Sequence, residues 1–167
     1  MFDGNWENDQ KVEGELTLFN GDVFKGVFRD NLRYQGFYYY KNKDVYHGCW
    51  HNDLKQGLGK LSLSIGEEYE GEFDQGTKHG FGKYIWTTKD TYEGNFSRDK
   101  REGLGIYRWA EGGEYRGQWQ GDRMNGLGRL IKDGLDITGE FFSDHFVRPV
   151  EASEISDSTL RSYLIGE

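Results

Sequence analysis

Short stretches in which apolar and polar residues alternate recur along the chain and predict β-strands. In the segment YEGEF (69–73), the two rings and the glycine fall on one side of the predicted strand and the two glutamates on the other. A helix is disfavoured there because each glycine in a helix costs about 1 kcal/mol relative to alanine. Six polar residues follow, and then a second stretch with apolar residues. This order predicts a β-hairpin, and hairpins without intervening helices predict an all-β fold.

The aromatic-x-Gly-x-aromatic unit repeats every 22 or 23 residues. Its copies begin at Phe2, Phe24, Tyr46, Tyr69, Tyr92 and Tyr115, with an altered seventh copy at Ile137. In the four middle copies a Gly-apolar-Gly element begins eleven residues after the leading tyrosine, at Gly57, Gly80, Gly103 and Gly126. The first two copies keep one glycine each, Gly14 and Gly36, one residue later. That offset predicts hairpin loops one residue longer in these two copies.

Glycines inside predicted strands need a physical reason, since glycine weakens a strand. We predict that Gly57 and Gly59 leave a gap on the sheet face into which a ring of a neighbouring strand packs. The third of the six polar residues, Gly76 in the copy that begins at Tyr69, is of a type that tolerates the left-handed backbone of a turn. Glu67 and Glu68 fall in the connection before that copy and are predicted to be solvated.

The register of the repeat is lost after Phe142, and Pro149 is predicted to stop any further strand. The segment SDSTLRSYLIGE (156–167) predicts a short amphipathic helix that caps the last hairpin. Its start, end and apolar face are assigned to Ser156 or Asp157, to Gly166, and to Leu160, Tyr163 and Leu164. A docking helix for another subunit and a frayed tail are the alternatives.

Composition narrows the classes of function. The net charge of −8 argues against a general nucleic-acid binder and against adsorption to anionic lipid, both of which need clustered basic residues. With 35% hydrophobic residues and 16% aromatic residues, rings must supply much of the buried area. The single cysteine, Cys49, indicates a reducing compartment, and neither a signal peptide nor a transmembrane segment is predicted. We therefore expect a cytoplasmic protein.

The sequence contains no motif that carries known chemistry. Phosphate-loop, dinucleotide-binding and Gly-x-Ser-x-Gly patterns are not found, and the four histidines do not have metal-ligand spacing. We therefore predict no catalytic residue, no cofactor and no metal, and expect that the protein is not an enzyme.

The repeat resembles the MORN repeat (membrane occupation and recognition nexus), whose pattern is Tyr-x-Gly-x-Trp, a short turn and His-Gly-x-Gly. The segment YEGEFDQGTKHGFG (69–82) matches it almost throughout. The resemblance implies an elongated, twisted, single-layer array of antiparallel hairpins. We expect this array in residues 1–142, with units starting near 2, 24, 46, 69, 92, 115 and 137, and a C-terminal extension in 143–167.

Members of this family resemble scaffolds, so we expect a rod that binds proteins through an aromatic-rich groove. The candidate partner-binding residues are Tyr38, Tyr40, Tyr84, Trp86, Tyr107 and Trp109. The acidic surface favours a partner segment with apolar anchors and basic rim residues. The resemblance also suggests a structural subunit of a ciliary or cytoskeletal complex, and homo-oligomers are compatible with it. The alternative function is a membrane- or phosphoinositide-associated tether.

Overall fold

The computed structural model describes residues 1–165, which form antiparallel strands and one short α-helix. The strands are β1 Phe2–Glu7, β2 Gln10–Thr17, β3 Val23–Arg29, β4 Leu32–Tyr39, β5 Val45–His51, β6 Leu54–Ser62, β7 Glu68–Asp74, β8 Thr77–Ile85, β9 Thr91–Ser97, β10 Lys100–Arg108, β11 Glu114–Gln120, β12 Arg123–Lys132, β13 Leu135–Phe142 and β14 His145–Pro149. A 3-10 turn, Ala152–Glu154, precedes helix α1, Ser158–Ile165. The predicted all-β hairpin fold with a short C-terminal helix is confirmed.

The chain divides into two compact units. Unit 1 is Met1–Thr87, and unit 2 begins at Thr88. In unit 1, β1 to β8 pair in chain order, each antiparallel with the next. In unit 2, β9 to β14 pair in the same way. Because paired strands are always consecutive in sequence, tight turns and short loops suffice to connect them.

The hairpins close through turns of two residues, a small part of the predicted polar segments. At Gln75 and Gly76 the φ angles are +47° and +88°, as a type I′ turn requires. This confirms the left-handed backbone predicted at the third polar position. The first two copies turn over Asn8–Asp9 and Asp30–Asn31 with positive φ at both residues. The prediction that their loops are longer is therefore wrong.

The first two copies differ from the middle copies in the length of a β-bulge. Gly14 pairs with Gly4, as Gly59 pairs with Gly48, so Gly14 corresponds to Gly59. Each hairpin has a shift of register between this glycine pair and the turn, and the middle copies have one more residue there. Gly57 lies in that longer bulge with φ at +70°. Its role is therefore conformational, and the prediction that it accommodates a ring is wrong.

The predicted nesting of rings in glycine gaps occurs at the paired glycines. A Cβ built on Gly82 would lie 2.6 Å from a ring carbon of Tyr69, and one on Gly71 would lie 2.6 Å from the Tyr69 hydroxyl oxygen. The ring thus lies flat across both strands of its hairpin, and its hydroxyl donates to the Glu72 carbonyl at 2.8 Å. The leading tyrosine of the same hairpin fills the gap.

In the copies that begin at Phe24, Tyr46, Tyr69, Tyr92 and Tyr115, these leading rings form the core together with the second aromatic residue, whereas Trp6 in the first copy is 54% exposed. The Phe73 ring lies 5.1 Å from the rings of both Tyr69 and Tyr46, with its plane nearly perpendicular to each. In unit 2, Trp119 makes the same edge-to-face contacts with Tyr92 and Tyr115 at 5.3 Å. Such pairs contribute about 0.5–1.5 kcal/mol each beyond their buried area. We call the side of each sheet that carries these rings the ring face.

Helix α1 packs on the other side of the unit 2 sheet, against β11 and β12. The Asp157 side chain caps it by accepting hydrogen bonds from the backbone of Thr159 and Leu160, as predicted for one of the two cap candidates. The strands that α1 contacts, β11 and β12, form the hairpin of the copy that begins at Tyr115. The predicted helix end, Gly166, lies outside the described residues.

Strand pairing continues beyond Phe142, because β14 pairs with β13 as far as Pro149. The proline ends this strand, which agrees with the predicted stop. Among residues 1–165, no helix has the length and apolar character needed to cross a membrane.

Candidate functional site

The six predicted partner-binding residues occur as three Tyr-x-aromatic pairs at the ends of second hairpin strands. Unit 1 carries the pairs Tyr38 with Tyr40 and Tyr84 with Trp86, and unit 2 carries Tyr107 with Trp109. Ring centroids within these pairs are 4.6, 4.7 and 5.2 Å apart. The two rings of each pair are therefore in contact.

The members of these pairs differ in exposure. Tyr38 is 6% exposed and Tyr84 is 9% exposed, so both belong to the core of unit 1. The second members are partly exposed, and so is Tyr107 in unit 2. The Tyr38 ring contacts the Trp50 ring at a centroid distance of 5.3 Å, whereas each second member lies just beyond the end of its strand. The partly exposed rings are Tyr40, Trp86, Tyr107 and Trp109.

Each first tyrosine is fixed by a carboxylate from the connection that precedes its hairpin. The Tyr38 hydroxyl donates to Asp22 Oδ2 at 2.7 Å, and the Tyr107 hydroxyl donates to Asp90 Oδ2 at 2.7 Å. Tyr84 donates to Glu67 Oε2 at 2.5 Å. The prediction that Glu67 is a solvated turn residue is therefore wrong. The signal that could have identified these acids is their position two residues before the leading aromatic residue.

The same carboxylates also connect successive hairpins. Asp22 Oδ1 accepts the backbone N–H of Lys41 at 2.8 Å, and Asp90 Oδ1 accepts that of Ala110 at 2.8 Å. One side chain thus holds both the ring and the loop that follows it. The aromatic pairs are therefore presented by a framework that is already ordered before any partner binds.

Cations lie over the rings of the ring face. The Arg33 guanidinium stacks on Trp50 at 4.3 Å from its centroid, and Arg101 stacks on Trp119 at 4.4 Å. Arg33 also forms an ion pair with Asp53 at 2.7 Å, and Arg101 forms one with Asp122. These arginines therefore stabilise neighbouring hairpins, and the adjacent aspartates offset their charge.

Three tyrosines of the aromatic pairs, Tyr38, Tyr84 and Tyr107, have strongly raised pKa values. Burial, together with the hydrogen bond to Asp22, raises the pKa of Tyr38 to about 12. Burial and the bond to Asp90 raise the pKa of Tyr107 to about 12 as well. In both residues the phenol is held in its protonated, donating form.

We expect the protein to lose stability as pH rises from 10 to 12. The unfolded chain releases these tyrosine protons near pH 10, while folded Tyr38 and Tyr107 retain theirs to about 12. Between pH 10 and 12, ionisation therefore favours the unfolded state. Below pH 10 the two tyrosines make their full contribution to the stability of the fold. Absorbance at 295 nm and far-UV circular dichroism, recorded together, should show tyrosine ionisation that coincides with unfolding. Complete ionisation near pH 10 with the fold intact would contradict the burial of these hydroxyls.

The side of the sheet away from the rings, the opposite face, carries a groove in unit 1. This shallow groove has a volume of about 780 Å³ and lies over β5 to β8. Two of its lining residues, Leu58 and Phe81, are 70% and 54% exposed. Nearby on the same face, the Phe37 ring stacks on the His47 imidazole with centroids 4.0 Å apart. The sequence prediction did not include these residues, although the apolar centre of the Gly-x-Gly element marks Leu58 and Phe81.

The part of the chain that the structure describes contains no candidate metal site. Among residues 1–165, no cluster of three or more histidine, cysteine or acidic side chains could hold a metal ion. Cys49 is partly exposed and lines the unit 1 groove.

The MORN repeat family model matches residues 2–23, 46–67, 69–91, 92–114 and 115–134, which together make up more than half of the chain. The chain therefore belongs to the MORN repeat family, which is not a catalytic kind of protein. No curated protein sequence matches it. Among solved structures, it is similar to the Drosophila melanogaster SAS-4 (dCPAP) TCP domain in complex with a proline-rich motif of Ana2 (dSTIL). That similarity has a TM-score of 0.48 and 14% identity and covers 77% of this chain and 71% of that chain.

Proposed function

We propose that this chain is a non-enzymatic scaffold that binds partner proteins through the partly exposed rings of its ring face. The observation that carries the proposal is the construction of the aromatic pairs. In each unit an inner tyrosine is locked to a carboxylate, and the outer ring packed on it remains partly exposed. Tryptophan and tyrosine in such positions are the residue types that dominate binding energy at protein interfaces.

The rigidity of this surface supports the proposal. Binding costs free energy when side chains must be ordered, and rings that are already packed lose little freedom. Trp86 packs on Tyr84 at 4.7 Å, and Trp109 packs on Tyr107 at 5.2 Å. Each therefore offers a flat apolar area whose orientation is set before a partner arrives.

The partner that suits this surface has apolar side chains for the rings and basic residues around them. The chain carries a net charge of −8, which favours approach of a basic segment. We extend the proposal to a cytoplasmic location and to a structural role in a larger ciliary or cytoskeletal assembly, on the ground of family resemblance alone.

The test is affinity purification from cell extract with the full chain and the double variant Trp86→Ala, Trp109→Ala. We expect the wild-type partners to be lost while circular dichroism and melting temperature show a folded protein. Ile65→Ala, at a side chain that is 65% exposed in a connection of unit 1, is the control and should retain them. A folded double variant that captures the same partners would refute the ring-face assignment. Flotation of the wild-type chain with anionic liposomes would instead favour the membrane-tether function.

A further inference from the structure

The apolar centre of the Gly-x-Gly element has two different environments in this protein. In unit 2, Leu104 and Leu127 lie beneath the C-terminal segment and pack against its buried cluster. In unit 1, the residues at the same repeat position, Leu58 and Phe81, are 70% and 54% exposed. The same surface is therefore covered in one unit and open in the other.

The two surfaces are built in the same way. Leu58 pairs across the strands with Glu72, as Leu104 pairs with Gln118. The Phe81 N–H donates to the Glu72 carboxylate at 2.9 Å, and the Leu127 N–H donates to the Gln118 side chain at 2.7 Å. These hydrogen bonds hold the bulged parts of β8 and β12 in the same way, so Phe81 and Leu127 project from equivalent positions.

The segment that covers Leu104 and Leu127 shows what such a surface accepts. Its helix buries Leu160 and Leu164, which are four residues apart and lie on one side of α1. Leu164 is fully buried and Leu160 is 9% exposed. Val150 and Ile155, which precede the helix, complete the buried cluster, so this kind of sheet face accepts a short helix through leucines four residues apart together with neighbouring apolar side chains.

We propose that the unit 1 groove, centred on Leu58 and Phe81, binds a short amphipathic helix of a partner protein. This inference rests on the proposed function and adds a second, chemically distinct surface to it. The partner helix presents apolar side chains four residues apart, as α1 does in unit 2. Binding would follow the helix-in-groove mode, in which one apolar helix face enters a hydrophobic depression.

Charge further defines the partner. Where unit 2 carries Arg116 and Gln118, unit 1 carries Glu70 and Glu72 at the same repeat positions, and both acids line the groove. Two lysines, Lys60 and Lys83, line the groove as well, and Lys60 forms an ion pair with Glu68 at 2.9 Å. A partner helix that carries a basic residue for Glu70 or Glu72 and an acidic residue for Lys83 beside its apolar residues therefore complements the groove.

The test uses isotope-labelled full chain and a synthetic peptide of residues 151–165 as the stand-in helix, because it carries Leu160, Arg161 and Leu164. We expect saturable changes in backbone amide NMR signals around Leu58 and Phe81. Leu58→Ser with Phe81→Ser should weaken binding at least about tenfold, whereas Leu58→Met should retain it. A peptide with serine at both leucine positions should not bind.

Three results of the peptide titration would overturn the inference. They are a peptide that causes no signal change, changes confined to the surroundings of Leu104 and Leu127 through displacement of α1, and binding that survives the serine variants. Concentration-dependent changes at Leu58 and Phe81 without peptide would assign the groove to a second copy of the chain and would also overturn it. Trp86→Ala with Trp109→Ala should leave peptide binding unchanged, so failure here is distinguishable from failure of the ring-face function.

Discussion

Replacing Gly82 with alanine should destabilise the protein by about 3–5 kcal/mol, in the range of the loss of a buried aromatic side chain. The added methyl group would lie 2.5 Å from the Tyr69 hydroxyl oxygen and 2.6 Å from a ring carbon. Tyr69 is 1% exposed and has no room to move, so either the ring leaves its place or the strands separate. Urea unfolding followed by circular dichroism measures this cost.

The control for this experiment is Gly121→Ala, at a turn residue with no atom within 4 Å of the added methyl group. At a φ of +55° an alanine costs about 1–2 kcal/mol in backbone strain, and this strain is the only cost expected for Gly121→Ala. Gly82 does not have a positive φ, so the larger cost expected for Gly82→Ala comes from the steric clash with Tyr69. Equal costs at the two positions would show that the ring does not occupy the glycine gap.

Replacing Asp22 with alanine should cost about 3 kcal/mol. Asp22 is 7% exposed and accepts hydrogen bonds from the Tyr38 hydroxyl, the Lys41 backbone and the Asn20 side chain. Removing it leaves a buried hydroxyl without its acceptor, which alone costs about 1–3 kcal/mol, and releases the connection to the next hairpin.

Asp44→Ala is the matched control for this prediction. Asp44 accepts the Ser64 backbone N–H at 2.8 Å, just as Asp22 accepts that of Lys41. The residue at the position of Tyr38 in the next hairpin is Leu61, which has no hydroxyl. We therefore expect a cost of about 1–2 kcal/mol for Asp44→Ala in the same urea unfolding experiment. If both variants cost the same, the bond between Tyr38 and Asp22 contributes nothing measurable.

The hairpin repeat was predictable from the sequence because its signal is periodic. The alternation in YEGEF and the spacing of 22 or 23 residues survive substitution at single positions. The nesting of rings over glycines was also predictable, since glycine in a strand needs a reason. Which glycine each ring contacts could not be predicted, because Gly57 and Gly59 look alike in sequence. Only the strand register shows that Gly57 lies in the bulge and that Gly59 leaves the gap.

The candidate sites were predictable in part. The aromatic pairs were identified from composition and position, but their division into buried and partly exposed rings depends on which neighbours each ring meets. Glu67 looked solvated because it lies in a connection, and its contact with Tyr84 joins residues 17 apart in sequence. The unit 1 groove could not be predicted either. Its exposure depends on where α1 packs, and no local pattern in Leu58 or Phe81 encodes that.

The most direct test of the account is a double-mutant cycle between Tyr69 and Gly82, since the whole array depends on rings that occupy the space left by paired glycines. Unfolding free energies of Gly82→Ala, Tyr69→Leu and the double variant give the coupling energy. We predict that the alanine costs at least about 1.5 kcal/mol less once leucine replaces the tyrosine, because the flat ring no longer crosses the gap. Additive costs would show that Tyr69 and Gly82 do not share this space and would contradict the account.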